Sequence, residues 1–415
     1  MFDLTPLRLL SLFCASLVLL SCDSTDRMLK ATEQAVAGRT GRDVLALIGG
    51  KDPSKIAKER LDSYAQNPEQ LLKDLHTAQR EFQTLYDALT GNVKDKWGPK
   101  EVKLPEKKKY VKYTQNYRSR AIVDFDRGQI TVETVDETTA RESLRHAVVA
   151  TLLTPHDPRV VDVFSDKDVP LNSAEEPYLL GLVLDQGGKP VRTQAEAEAF
   201  AGYLLDKRIG TRVIEQDGTK KQATFVTINM VVNLPQKQAE KYRPVVLRYA
   251  EQYKMSPSLV FAIIRTESNF NPYAVSSVPA YGLMQLVPTS GGREAYRRAK
   301  GEDVAPTRDY LFDPQNNVEL GTAYLNVLMF NQLGEVANEI SREYCVIAAY
   351  NTGSGNVLRT FSKNRTTAVQ QINGLQPTTL YNKLRSNLPY QETRNYLEKV
   401  TTYRKSYVSA GGGTN

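Results

Sequence analysis

The chain has 415 residues, a formal net charge of +7 and an apolar fraction of 41%, enough material for two or three domains with buried cores. This balance excludes a disordered polyelectrolyte, and three cysteines exclude a disulfide scaffold. The positive excess suits loose attraction to anionic wall or membrane surfaces, and the cluster Lys103, Lys107, Lys108, Lys109 and Lys112 reads as a solvated basic face.

At the N-terminus, Arg8 precedes an apolar run from Leu9 to Leu20 that is too short for a comfortable membrane span. Residues 1–21 therefore read as a secretory signal peptide. Leu19-Leu20-Ser21-Cys22 resembles a bacterial lipobox, which implies cleavage before Cys22 and lipidation of that cysteine. Several acyl chains on one residue anchor stably where one alone is marginal. A plain secreted protein with a chance cysteine is the alternative. Asp23 resembles the signal that retains enteric lipoproteins in the inner membrane, but other bacteria follow other rules, so inner and outer membrane both stay open. A chain tethered in the envelope and facing the periplasm does not meet nucleic acid, which is not expected as a partner.

Residues 22–95 space their apolar positions loosely like helices, with breaks at Gly49-Gly50 and Gly91, and read as a lipid-anchored helical stalk or hairpin. Residues 96–235 read as an α+β accessory domain. Ala121 to Val135 predicts two strands around a tight Asp126-Arg127-Gly128 turn, Leu144–Leu153 a helix, and Phe200–Leu205 the end of another. Phe225–Val232 predicts a strand, whereas Tyr178–Leu184 is strand or helix by its period. His146 and His156 have no partner at metal-ligand spacing and read as packing or surface residues. From 236 to 405 the pattern is helical throughout, and 406–415 reads as a disordered tail. Cys345, in an apolar helical run, reads as a small packed hydrophobe.

Ser256-Pro257 predicts an N-cap followed by proline at the first helical position. Leu259, Ile263 and Glu267 then recur every four residues on one face, with Arg265 turned to solvent. Burial disfavours the ionised carboxylate and raises its pKa, as a general acid requires at neutral pH. Ser268, Asn269 and Asn271 are expected to bond local backbone around the carboxyl. Gly282 permits close approach, Met284 and Gln285 offer a soft wall and an amide to a sugar, and Tyr350 and Asn351 place a phenol and an amide at a helix mouth. One carboxyl among hydroxyls, amides and aromatics suits acid–base work on a sugar bond; no metal or other cofactor is expected.

Glu267-Ser268 with Phe270-Asn271-Pro272, Gly282-Leu283-Met284-Gln285 and Ala349-Tyr350-Asn351 resembles the catalytic domain of bacterial lytic murein transglycosylases. Asn317–Gly321, Tyr324-Leu325 and Glu392–Tyr396 are similar to further motifs of that family. Trp97-Gly98, Tyr110–Thr114, Phe125-Asp126 and Val226–Val231 resemble the domain that precedes it in one membrane-bound branch. Thr352 stands where many members have glycine. The resemblance implies an α+β multidomain chain: a mainly helical, goose-type-lysozyme-like C-terminal domain, preceded by a small α+β domain and an N-terminal helical segment.

It also implies a reaction on peptidoglycan glycan strands. Glu267 protonates the β-1,4 oxygen between N-acetylmuramic acid and N-acetylglucosamine, then as a base takes the C6 hydroxyl proton of the same muramoyl sugar. The product is a 1,6-anhydromuramoyl end. Tyr350 orients Glu267 or polarises the acetamido group, and Ser268, Met284, Gln285, Asn351 and Tyr396 line the cleft. Glu319 reads as structural, and Glu392 as a partner of Arg394 or a helix-terminus carboxylate. A hydrolytic muramidase and a noncatalytic wall-binding lipoprotein are the alternatives.

Overall fold

The computed structural model describes residues 68–171, 176–276 and 279–408; Cys22, Asp23 and Gly49-Gly50 lie outside them. The chain divides into residues 1–91 and 92–415. Helix α1, Pro68–Trp97, is the described element of the first part and runs on into the second. The break expected at Gly91 does not occur. A glycine inside a helix costs only about 1 kcal/mol against alanine, and the stop comes at Gly98, whose φ of 81° ends the helix.

Five antiparallel strands follow: β1 Lys109–Thr114, β2 Ser119–Asp124, β3 Gln129–Thr134, β4 Gly210–Gln216 and β5 Thr219–Asn229, in the order β1-β2-β3-β5-β4. The β2–β3 turn falls where expected. Asp124 accepts from the amides of Asp126 (3.1 Å) and Arg127 (3.0 Å), and Gly128 takes φ 62°. The register Ala121↔Val132↔Val226 lines one buried face. Helix α2, Ala140–Leu152, packs there, with α3, Gln194–Lys207, against it. On the other face the buried Arg120 guanidinium lies 3.7 Å over the Trp97 ring and pairs with Glu133 (2.6 Å) and Glu101 (3.2 Å). Buried charges persist only when paired in this way.

Two sequence readings change here. Tyr178–Leu184 is neither strand nor helix but a run of turns, bent at Gly181 with φ 73°. The basic cluster is not one solvated face. Lys112 is buried, donating to the Asp162 (2.9 Å) and Ser165 (2.7 Å) carbonyls, and burial lowers its ammonium to about 8. Lys108 pairs with Asp126 and Lys109 with Glu106.

Helices then dominate: α4 Leu234–Gln252, α5 Pro257–Glu267, α6 Gly291–Lys300, α7 Arg308–Phe312, α8 Pro314–Asn326, a π-helical turn Val327–Gln332, α9 Glu339–Thr352, α10 Ser354–Arg359, α11 Arg365–Asn373, α12 Pro377–Asn387 and α13 Gln391–Lys405. The central element is α5. It begins at Ser256-Pro257 as predicted, although the Ser256 hydroxyl faces that of Ser258 rather than capping the backbone. Instead of one buried stripe, Ser258–Ile264 are all buried, because α4 and α13 pack along the helix and the wider apolar cluster closes around it. Even Arg265 is half-buried, its guanidinium 4.0 Å over the Tyr403 ring. Among the described residues no helix is long and apolar enough to cross a membrane.

Candidate active site

Glu267 is the last residue of α5 and is 6% exposed. Burial raises its carboxyl pKa above the ordinary 4.5; the Lys107 ammonium and the Tyr396 hydroxyl oppose that rise, and the Glu392 charge adds to it. Lys107 Nζ stands 3.6 Å from Glu267 Oε2. The Tyr396 hydroxyl, on α13, is buried and close enough to favour the ionised carboxyl, without a hydrogen bond of good geometry. Tyr350, on α9, donates to the Met284 carbonyl at 2.9 Å. Burial, then the Glu267 charge, push its hydroxyl well above the usual phenol range.

The backbone beyond Glu267 is strained. Asn269 (φ 48°) and Phe270 (φ 62°) are left-handed, and for an aromatic residue that is a true outlier. Packing overrides the strain: the fully buried Phe270 ring stacks on Tyr242 at 6.3 Å, and its carbonyl accepts from the Tyr178 hydroxyl at 2.9 Å. Strain held by its surroundings in this way is characteristic of functional sites. Ser268 is buried, with its hydroxyl 2.8 Å from the Leu283 carbonyl and 3.1 Å from that of Ile264. Asn271 bonds local backbone as expected, its Oδ1 accepting from Tyr273 N at 3.1 Å, while the amide nitrogens of Asn269 and Asn271 reach further. Asn269 Nδ2 donates to Phe125 O (2.7 Å) and Asn271 Nδ2 to Lys107 O (3.2 Å), both in the α+β region.

The second segment is a clamped turn. Gly282 has φ 73°, and a Cβ there would lie 2.4 Å from Asn317 Nδ2 and 2.6 Å from Leu311 O. Asn317, inside α8, donates to Tyr281 O (2.8 Å) and Leu311 O (2.7 Å) and accepts from Met284 N (2.8 Å). Gly321, one helical turn on, leaves the space that Met284 fills. The expectation that Met284 walls the cleft is therefore corrected: its side chain is fully buried against α8. Ser268 likewise braces backbone instead of lining a surface. Gln285 (φ 49°) is nearly buried and donates to Ala274 O (3.1 Å) and Gly282 O (3.0 Å), while its Oε1 has no protein partner.

Asn351 Oδ1 accepts from the Thr393 hydroxyl at 2.7 Å, tying the end of α9 to α13. Thr352 ends α9, and the turn glycine comes one residue later at Gly353 (φ 83°). Glu319 is structural, held by Lys300 (2.8 Å) and Tyr253 (3.3 Å). Glu392 is an exposed first-turn carboxylate; Arg394 bonds Gln391 instead. The structure thus brings Glu267, Tyr350 and Tyr396 together and adds Lys107, a member of the basic cluster in the sequence. No local pattern marks Lys107, because its contact spans a separation that only the docked fold closes. Cys345 is buried and its thiol is pushed up to about 12, in keeping with packing.

Comparison with known proteins adds two family profiles. One, described as the membrane-bound lytic murein transglycosylase C N-terminal domain, matches residues 69–241, and the transglycosylase SLT domain matches 244–373. Among curated relatives, a membrane-bound lytic murein transglycosylase C from Sodalis glossinidius is 43% identical over 79% of this chain and 90% of its own length. Its counterpart from Serratia proteamaculans is 42% identical over 82% and 92%. A solved structure, an inactive mutant of the lytic transglycosylase Slt from Pseudomonas aeruginosa, is 30% identical over 40% of this chain and 24% of that one. Its TM-score is 0.32.

Proposed function

This chain belongs to the membrane-bound lytic murein transglycosylase C family and acts on peptidoglycan, and we propose that it does so through Glu267 as acid and then base. The observation that carries this reading is a single carboxyl, buried at a helix end and raised in pKa chiefly by that burial. Such a group holds its proton closer to neutrality than an exposed glutamate. Protonated Glu267 gives its proton to the glycosidic oxygen between N-acetylmuramic acid and N-acetylglucosamine as the C1–O bond breaks. The muramoyl acetamido group shelters the positive charge at C1. Ionised Glu267 then takes the C6 hydroxyl proton while that oxygen attacks C1 and closes the 1,6-anhydro ring. No water is consumed. The attacking group is already on the sugar, so orientation is gained without capture of a second reactant.

Tyr396 faces the carboxyl, and Tyr350 shapes its surroundings through the Met284 carbonyl. Gln285 and Asn351 are proposed to border the cleft. We further propose that lipidated Cys22 tethers the enzyme in the cell envelope, facing the periplasm.

The test is mass spectrometry of muropeptides released from sacculi by the parent and by Glu267→Gln. Anhydro ends from the parent, and a fall of roughly 10²–10⁴-fold in the variant with sacculus binding intact, are expected. Reducing ends would assign hydrolysis, with Glu392 the carboxylate to examine next. Undiminished turnover in Glu267→Gln would sink the mechanism.

A further inference from the structure

We infer that Lys107, contributed by the α+β region, is a positioning residue for Glu267 that pairs with the carboxylate between its two proton transfers. The inference rests on the reading of Glu267 as the acid–base group.

Three observations place Lys107 there. Its Nζ is 3.6 Å from Glu267 Oε2, and the lysine side chain is 40% exposed while the glutamate is nearly buried. The pair thus joins a nearly buried carboxyl to a cation that is itself partly open to solvent. Its neighbours are engaged elsewhere: Lys108 with Asp126 (3.1 Å) and Lys109 with Glu106 (3.1 Å). Among the described residues, the recorded ion pair of Lys107 is the one with Glu267. Finally, its backbone is held by the catalytic segment itself, since Asn271 donates to the Lys107 carbonyl at 3.2 Å. The stretch that carries the acid also fixes the stretch that carries the cation.

The groups facing Glu267 come from three directions: Lys107 from the segment before β1, Tyr350 from α9, and Tyr396 and Glu392 from α13. Lys107 is the cation in that set, opposing both burial and the Glu392 charge. Its chemical part follows from the proton count. Glu267 loses a proton to the leaving oxygen, is anionic while C1 is electron-poor, and regains a proton from the C6 hydroxyl. Lys107 takes no part in either transfer. It offsets the charge of a carboxylate that would otherwise stand desolvated, and it holds the Oε2 side of that carboxylate in place.

The experiment compares full-length parent, Lys107→Met and Lys107→Arg by two readouts. One is the pH profile of anhydromuropeptide release, which declines at high pH as Glu267 loses its proton. The other is an NMR titration of carboxyl-labelled glutamate, with the Glu267 resonance identified by its loss in Glu267→Gln. In Lys107→Met both midpoints are expected to move to higher pH and the plateau rate to fall several-fold. Lys107→Arg should restore both midpoints. Both substitutions keep the backbone carbonyl that Asn271 holds and alter a partly exposed side chain, so folding is preserved and a thermal melt verifies it. Unmoved midpoints in a folded Lys107→Met protein overturn the inference. A moved NMR midpoint with an unmoved rate profile upholds the pairing and instead overturns the acid–base assignment of Glu267.

Discussion

The burial of the Glu267 carboxyl is readable as a stability effect. Its native pKa is raised above the ordinary 4.5 by burial. Between the two values the native state binds more protons than the unfolded chain, so stability falls as pH rises through that window. Below about 4.5 both states are protonated and the penalty is absent. Glu267→Gln, neutral at every pH, should therefore melt above the parent at pH 7 and lose that advantage as pH is lowered below 4.5. Thermal melts across pH check this; a variant less stable than the parent at pH 7 would mean that the Lys107 pairing outweighs burial. The site carries a built-in cost to folding, of the kind functional sites impose.

At the scale of elements, the sequence motifs divide into those that do chemistry and those that hold shape. Gly282–Gln285 belongs mostly to the second kind. Asn317 and Gly321 are spaced one turn apart on α8, so that an amide clamps the turn while an absent side chain makes room for Met284. Gly282→Ala is expected to cost about 1–2 kcal/mol for the left-handed backbone and a further ~1–3 kcal/mol for crowding Asn317. Gly321→Ala should cost ~1–3 kcal/mol, as Met284 Sδ would meet the new Cβ at 2.2 Å. Denaturant unfolding measures both, and a loss below about 0.5 kcal/mol in either would show that the turn can slide off α8 freely. The helix start at Ser256-Pro257, the buried glutamate at its end and the β2–β3 hairpin are legible from sequence, because local backbone rules and periodicity specify them. β1 and β4 were not read as strands: their lysines and arginine mask the alternation, since Lys112 and Arg212 find partners that only the folded sheet supplies. The burial of Met284 was equally hidden, since it depends on a glycine in another helix.

At the scale of residues 92–415, the segment just after Glu267 is also where the α+β region attaches. Asn269 donates to Phe125 O, Asn271 to Lys107 O, and the Tyr178 hydroxyl to Phe270 O. Around them Tyr273 packs against Tyr110 (4.7 Å) and Tyr178 (5.8 Å), and Tyr178 against Phe125 (6.0 Å). The motif braces its own turn through Ser268 and Asn271 and is also a joint, so the two regions should melt as one cooperative unit. The position of Asn269 allows a separation of causes. Asn269→Gly keeps the φ of 48° at ease and removes only the side-chain bond, leaving the Phe125 carbonyl buried and unpaired at a cost of ~1–3 kcal/mol. Asn269→Ala adds the left-handed backbone penalty of roughly 1–2 kcal/mol. Calorimetry of the parent should show a single transition for this part of the chain, lowered in Asn269→Gly and lowered further in Asn269→Ala. If the sheet and the helices melted separately in the parent, the joint would be a contact rather than a weld. Lys107 would then be free to leave Glu267 without unfolding anything.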